Sequence, residues 1–281
     1  MKERPVWKDY ERLLPDTHRL IRHVEEQTGR TVEIQPEPAI RGRGRAIYVV
    51  TDPDPDRHLI LYDPAERRFL DHLVAHECGH ILRFAEAEPG ARVVPIMTTE
   101  CRTRAIDQLG PELTDLVRRG YPRGVLADVI PIWLSGTVAQ LSDTPSDIWI
   151  ERFIANDYPG LRKVQEASLM RQARELHLVA GKAVERVTPR SIWIASNAMN
   201  YALVKAVARL FHRTELMTPY TFSPSRTLGE SLFAMVEAEP DDGLAGDRWL
   251  SERWAEELGL RDWLEWRRLE ELPAGFRHAW E

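Results

Sequence analysis

The spacing of hydrophobic positions changes several times along the chain. Over residues 17–28 Leu20, Ile21 and Val24 recur at helical intervals, with Asp16 as a candidate cap and Gly29 as a stop, and a shorter helix is expected over 6–14. The period then shortens. TVEIQ at 31–35, RAIYVVT at 45–51 and HLILY at 58–62 read as strands, the last two joined by the turn-rich DPDPD at 52–56, which predicts a small antiparallel sheet. At DPAE, residues 63–66, Asp63 can cap, Pro64 suits the first helical position and Glu66 falls where a capping box takes a carboxylate. A helix is expected from here to about Ala87, before Pro89 and Gly90. From 91 to about 213 the chain is helix-like, punctuated by Gly110-Pro111, Gly120-Tyr121-Pro122, SDTPSD at 142–147 and Tyr158-Pro159-Gly160. A loop-rich stretch at 218–247 precedes a helical region carrying Trp249, Trp254, Trp263 and Trp266.

This pattern predicts an α+β, predominantly helical protein in three parts: 1–90 with the small sheet, a helical 91–217, and a Trp-rich helical 218–281. Composition narrows the partners. A chain of 281 residues with 43% hydrophobic content can build its own core, and a net charge of −6 offers no basic field for nucleic acid or an anionic membrane surface. The N-terminus lacks an apolar signal-like run, and no stretch of about 18 apolar residues is expected to span a bilayer. Cys78 and Cys101 are too few for a disulfide framework, so a reducing, cytoplasmic setting is expected.

The chemistry concentrates in LVAHECGHILRF, residues 73–84. On a helix His76 and His80 lie one turn apart on one face, so two imidazoles can reach one ion, while Glu77 stands on the neighbouring edge, suited to take a proton from water. That is the donor set of a hydrolytic Zn2+ site, in which the ion polarises a carbonyl and activates water, with Glu77 as general base. Such a triplet also arises by chance, and context weighs against chance: Leu73, Val74, Ile81 and Leu82 flank it, and polar groups in an apolar setting need partners. Gly79 costs about 1 kcal/mol relative to alanine inside a helix, which points to a close approach by another backbone. His72, one turn earlier, reads as a rim or solvent residue. Cys78 reads as a buried thiol on the far side.

A third protein ligand is required, and a carboxylate from a later helix is the remaining choice. Glu151 is the first candidate because its helical neighbours include Ile148, Ile154 and Ala155, an apolar sector in which a carboxylate calls for a cation. Asp147 falls three residues after Thr144, with Pro145 between, which suggests a capping box and leaves Asp147 a role behind a ligand histidine. Glu100, beside Arg102 and Arg104, is the alternative. Tyr158, His177, Tyr201 and His212 are candidate oxyanion donors that spacing does not rank. Asn197 and Asn200 read as packing residues, and RGRGR at 41–45 is too short for a phosphate loop.

The order of helix, short sheet, H-E-x-G-H helix and later glutamate-bearing helix resembles the gluzincin metallopeptidases, in particular the IrrE-like intracellular group. RHLILYDPAERRFLDHLVAHECGHILRF is similar to that group's strand, turn and active-site helix. The resemblance implies a zincin-like fold and a zinc-dependent endopeptidase acting on a protein or peptide substrate. His76 and His80 would be ligands, Glu77 the base, and a downstream glutamate, here Glu151, the third ligand. The chain departs from that group's E-x-x-A-N arrangement, because Ala155-Asn156 follow Glu151 one residue late. The rival expectation is a non-catalytic protein that uses the zincin helix as scaffold and the Trp-rich region to hold a protein partner.

Overall fold

The protein is described from a computed structural model, which gives residues 10–38, 44–47 (backbone only), 57–268 and 271. The fold is α+β and predominantly helical. It divides into two compact units, one of residues 1–89, 149–170 and 269–281, the other of 90–148 and 171–268.

The first unit opens with α1, Pro15–Thr28. Asp16 is not its cap. Pro15 takes the first helical position, where its missing N–H costs nothing, and Asp71 accepts hydrogen bonds from the Leu14 N–H and the Thr17 hydroxyl, both at 2.6 Å. Asp16 instead accepts from the Gly160 N–H at 2.6 Å. Gly29 ends the helix in the left-handed conformation, φ 68°, as expected. Of the helix expected at 6–14, residues 6–9 lie outside the described residues, and the described part is not α-helical, Tyr10–Arg12 forming a 3-10 turn.

The sheet joins β1 (Thr31–Pro36), β2 (Gly44–Ile47) and β3 (Arg57–Tyr62) in the order β1-β3-β2. It is mixed rather than antiparallel: β1 and β3 run parallel, and only β2 is antiparallel to β3. The segment between β1 and β3 is long enough for the crossover that a parallel pair needs, and it contributes the third strand on the way. The expected turn at 52–56 lies outside the described residues. Alternation along β1 and β3 buries Val32, Ile34, His58, Ile60 and Tyr62.

Asp63 caps a 3-10 turn, Pro64–Phe69, by accepting from the Ala65 N–H at 2.8 Å, and α2 follows as Leu70–Glu86. Leu70, Val74, Ala75, Cys78, Ile81 and Leu82 of α2 pack with Leu20, Ile21 and Val24 of α1. Each fully buried Leu, Ile or Val among them contributes about 1.5–3 kcal/mol. Ile150 and Ile154, from the end of a later helix, and Tyr158 and Leu161 complete this core.

That later helix is α4, Arg123–Asp157, which follows β4 (Val93–Ile96) and α3 (Thr99–Arg118). Two expected breaks are absent: α3 runs through Gly110-Pro111, and α4 runs through SDTPSD with its Pro145, as it does through Pro131. A proline removes one helical hydrogen bond, and packing by Leu109 and Leu116 in α3, and by Leu141 and Ile148 beside Pro145, overrides that local penalty. Thr144 therefore does not cap a helix start. Its hydroxyl donates back to the Gln140 carbonyl at 2.7 Å, in mid-helix. The expectation that no segment is long and apolar enough to cross a bilayer also needs correction, because α4 passes that test, with a mean hydropathy of 1.4 over an 18-residue window of which 28% is buried. Small polar residues such as Ser135, Gly136 and Thr137 interrupt its aliphatic run without adding charge.

The second unit continues through α5 (Arg162–Val179, shared with the first), α6 (Lys182–Val187), α7 (Arg190–Phe211), α8 (Arg226–Ala238), α9 (Gly243–Glu257) and β5 (Glu265–Arg268), which pairs antiparallel with β4. At its centre α7 packs on α8 so closely that a Cβ at Gly229 would come 2.5 Å from Tyr201 Cβ. Asn197 and Asn200 are internal, Asn197 donating to the Trp193 carbonyl and Asn200 accepting from Gln140. Trp254 and Trp263 are fully buried, whereas Trp249 is 42% exposed, so the tryptophan cluster is chiefly core.

Two outcomes follow from this packing. His58 is buried with neither ring nitrogen hydrogen-bonded, and burial, aided by the Arg30 charge, lowers its pKa to about 4. The neutral ring is favoured by folding, so stability should be full above about pH 6.5 and fall as pH drops toward 4, a slope that His58→Leu removes in urea titrations across that range. A Cβ on Gly79 would lie 2.5 Å from Ile150 Cγ2. Gly79→Ala should therefore lower stability by about 1–3 kcal/mol despite alanine's better helix propensity, and it should cost less in an Ile150→Ala background, which lacks both clashing γ-carbons, in a double-mutant cycle.

Candidate metal centre

His72, His76 and His80 stand on successive turns of α2, and Glu151 of α4 meets the first two. Glu151 is 3% exposed. Both of its oxygens lie 3.0 Å from His72 Nε2, Oε1 lies 2.8 Å from His76 Nδ1, and Oε2 accepts from Gln165 Nε2 at 2.7 Å. Gln165, on α5 and fully buried, also donates to the Glu151 carbonyl at 2.8 Å. Burial pushes the Glu151 carboxyl up, but the His72 ring and then the hydrogen bond from His76 outweigh it and hold the group well below the usual carboxylate range. The carboxylate is ionised.

This geometry fixes how His76 stands. Its Nδ1 is directed at Glu151; a neutral ring that donates from Nδ1 keeps its lone pair on Nε2, which lies 3.2 Å from His80 Nε2. Two imidazole nitrogens bound tetrahedrally to zinc at about 2.0–2.1 Å would stand about 3.3–3.4 Å apart, so the pair fits that ion. The aromatic rings cross at 76°, with centroids 4.8 Å apart.

His72 is not a rim residue. It is 4% exposed and its Nδ1 has no hydrogen-bond partner, which costs about 1–3 kcal/mol for a buried polar group. His72, His76 and Glu151 place donor atoms within 4.8 Å of one another, so this group too has the composition of a cation site. Its short contacts are, however, those of an ionised carboxylate accepting N–H bonds. The Gly79 close approach expected from the sequence is real, but the neighbour is the Ile150 side chain rather than a backbone.

Glu77 is 9% exposed, one residue after His76. Asp147 is half-buried one turn before Glu151 on the same uninterrupted helix, freed from the capping role that the sequence suggested. Glu100 is exposed in the first turn of α3 and joins no metal-holding group among the described residues. Of the oxyanion candidates, Tyr158 is hydrogen-bonded to His23 Nδ1 at 3.2 Å, Tyr201 is tied to Glu230, and His177 stacks edge-on against Tyr220. His212 closes α7 in the left-handed conformation. Sequence reasoning missed Gln165 and misplaced His72. The row His72, His76, His80 at four-residue spacing was the available signal for His72, and for Gln165 there was none. No family model, curated protein or solved structure matches the chain.

Glu151→Ala should cost about 3–5 kcal/mol although alanine is the better helix former, because it strands the buried donors of His72 and Gln165; urea denaturation of metal-free protein measures it.

Proposed function

We propose that the protein is a zinc-dependent hydrolase of peptide bonds with a zincin-like fold, in which His76 and His80 bind the metal through Nε2 and Glu77 is the general base. The observation that carries this reading is the 3.2 Å separation of the two Nε2 atoms, with the opposite nitrogen of His76 engaged by the Glu151 carboxyl group. Ligand histidines are commonly held in this way, since a carboxylate on the far N–H sets the tautomer and strengthens the ligand.

The same observation supports an exchange of roles between the two carboxylates of α4. Glu151 is engaged on the Nδ1 side of His76, away from the Nε2 pair, and orients the ring. Asp147 is then the third ligand. In support, Asp147 stands one turn before Glu151 on α4, and it belongs with His76 and His80 to a group whose donor atoms lie within 4.8 Å of one another.

Zinc held by these residues would supply a Lewis acid to polarise the scissile carbonyl and make water more acidic. The chain's own part is to hold that geometry and move protons. Glu77 takes the proton from the attacking water and delivers it to the departing amine, while the Glu151 carboxylate keeps His76 oriented throughout. The ring of apolar residues around α2, Val74, Ile81 and Leu82 among them, fixes the helix that carries all three groups.

Purified protein should carry close to one zinc per chain. His76→Ala, His80→Ala and Asp147→Ala should each lose it, Glu77→Gln should keep it and lose casein- or peptide-cleaving activity by at least about 100-fold, the lower range for general-base removal. Folded protein that takes up no zinc, or Asp147→Ala that retains full zinc affinity, would contradict this assignment.

A further inference from the structure

We propose that His72 and Gln165 are positioning residues, a clamp that locks the Glu151 carboxylate against Nδ1 of His76 and keeps it from turning to the metal. The proposal rests on the metal-hydrolase reading above and adds to it a pair of residues outside the H-E-x-x-H motif. Glu151 has acceptor capacity on both oxygens, and a buried carboxylate near a divalent ion would ordinarily move to bind it. Three N–H groups oppose that movement. His72 Nε2 spans both oxygens at 3.0 Å, Gln165 Nε2 anchors Oε2 at 2.7 Å and the Glu151 carbonyl at 2.8 Å, and His76 takes Oε1.

His72 is a poor choice for packing alone. Its Nδ1 is buried without a partner, and an aliphatic or phenyl side chain would fill the space without that penalty. What the imidazole supplies is the single N–H that lies equidistant from both carboxylate oxygens. Gln165 repeats the pattern, since its Nε2 makes two bonds while its Oε1 has no partner. Both residues thus leave one polar atom unpaired and direct the other at Glu151, an asymmetry expected of groups retained for orientation.

The test compares wild-type protein with His72→Phe, Gln165→Met and the conservative His72→Gln, each checked for folding by thermal denaturation. Nitrogen-15 histidine spectra of metal-free protein report the His76 tautomer, and competition with a chromophoric chelator reports the zinc dissociation constant. In wild-type protein His76 should be the Nδ1–H tautomer. His72→Phe and Gln165→Met should mix the tautomers and weaken zinc binding about 10–100-fold, the range for loss of such supporting contacts, with His72→Gln restoring most of both. An unchanged tautomer and unchanged zinc affinity in folded His72→Phe and Gln165→Met would overturn the proposal. If His72→Phe does not fold, Gln165→Met decides by itself. Should wild-type protein bind no zinc, the hydrolase reading fails, and the tautomer measurement still decides whether the clamp exists.

Discussion

A buried, ionised carboxylate is the constraint around which the candidate centre is built. An anion as enclosed as Glu151 is stable only if its lone pairs are filled by donors, and the donors come from three separate places: two turns of α2 and one position on α5. Satisfying Glu151 therefore fixes the relation of α2, the end of α4 and the start of α5 in the first unit. It also determines which nitrogen of His76 carries a proton. The chemistry proposed for Nε2 is a consequence of what holds Nδ1.

The helix crossing that makes this contact possible depends on a missing side chain. Gly79 lies between the two H-E-x-x-H histidine turns, and Ile150 occupies the space that a Cβ would take. Close packing at this point lets the Glu151 carboxylate, one residue further along α4, reach two imidazoles at hydrogen-bond distance. The glycine's unfavourable helix propensity is offset by the contact it permits. Around the crossing, the aliphatic face of α2 and the buried rows of α1, β1 and β3 supply a rigid support.

How far the sequence revealed this depended on whether the relevant signal was local. The Asp63 cap, which starts a 3-10 turn ahead of α2, and the Gly29 stop were legible because capping and left-handed glycine are properties of a few consecutive residues. The pairing of His76 and His80 was legible from their spacing, and Glu151 was singled out by the apolar sector around it. Local signals also misled. Thr144-Pro145 has the form of a helix start, yet packing by Leu141 and Ile148 carries α4 through it, and Asp16 has the form of a cap, yet Asp71, from a different helix, takes that part. The parallel pairing of β1 with β3 and the reach of Gln165 to Glu151 join positions far apart in the chain and leave no trace in local pattern.

The assignment of the two carboxylates of α4 is the claim on which the account turns, and anomalous diffraction at the zinc edge from crystals of the zinc-loaded protein tests it most directly. The account predicts one peak at about 2.0–2.1 Å from Nε2 of both His76 and His80, with Asp147 as the bound carboxylate and Glu151 still on Nδ1 of His76. A peak bonded to Glu151 between His72 and His76, or no peak beside His80, would contradict it.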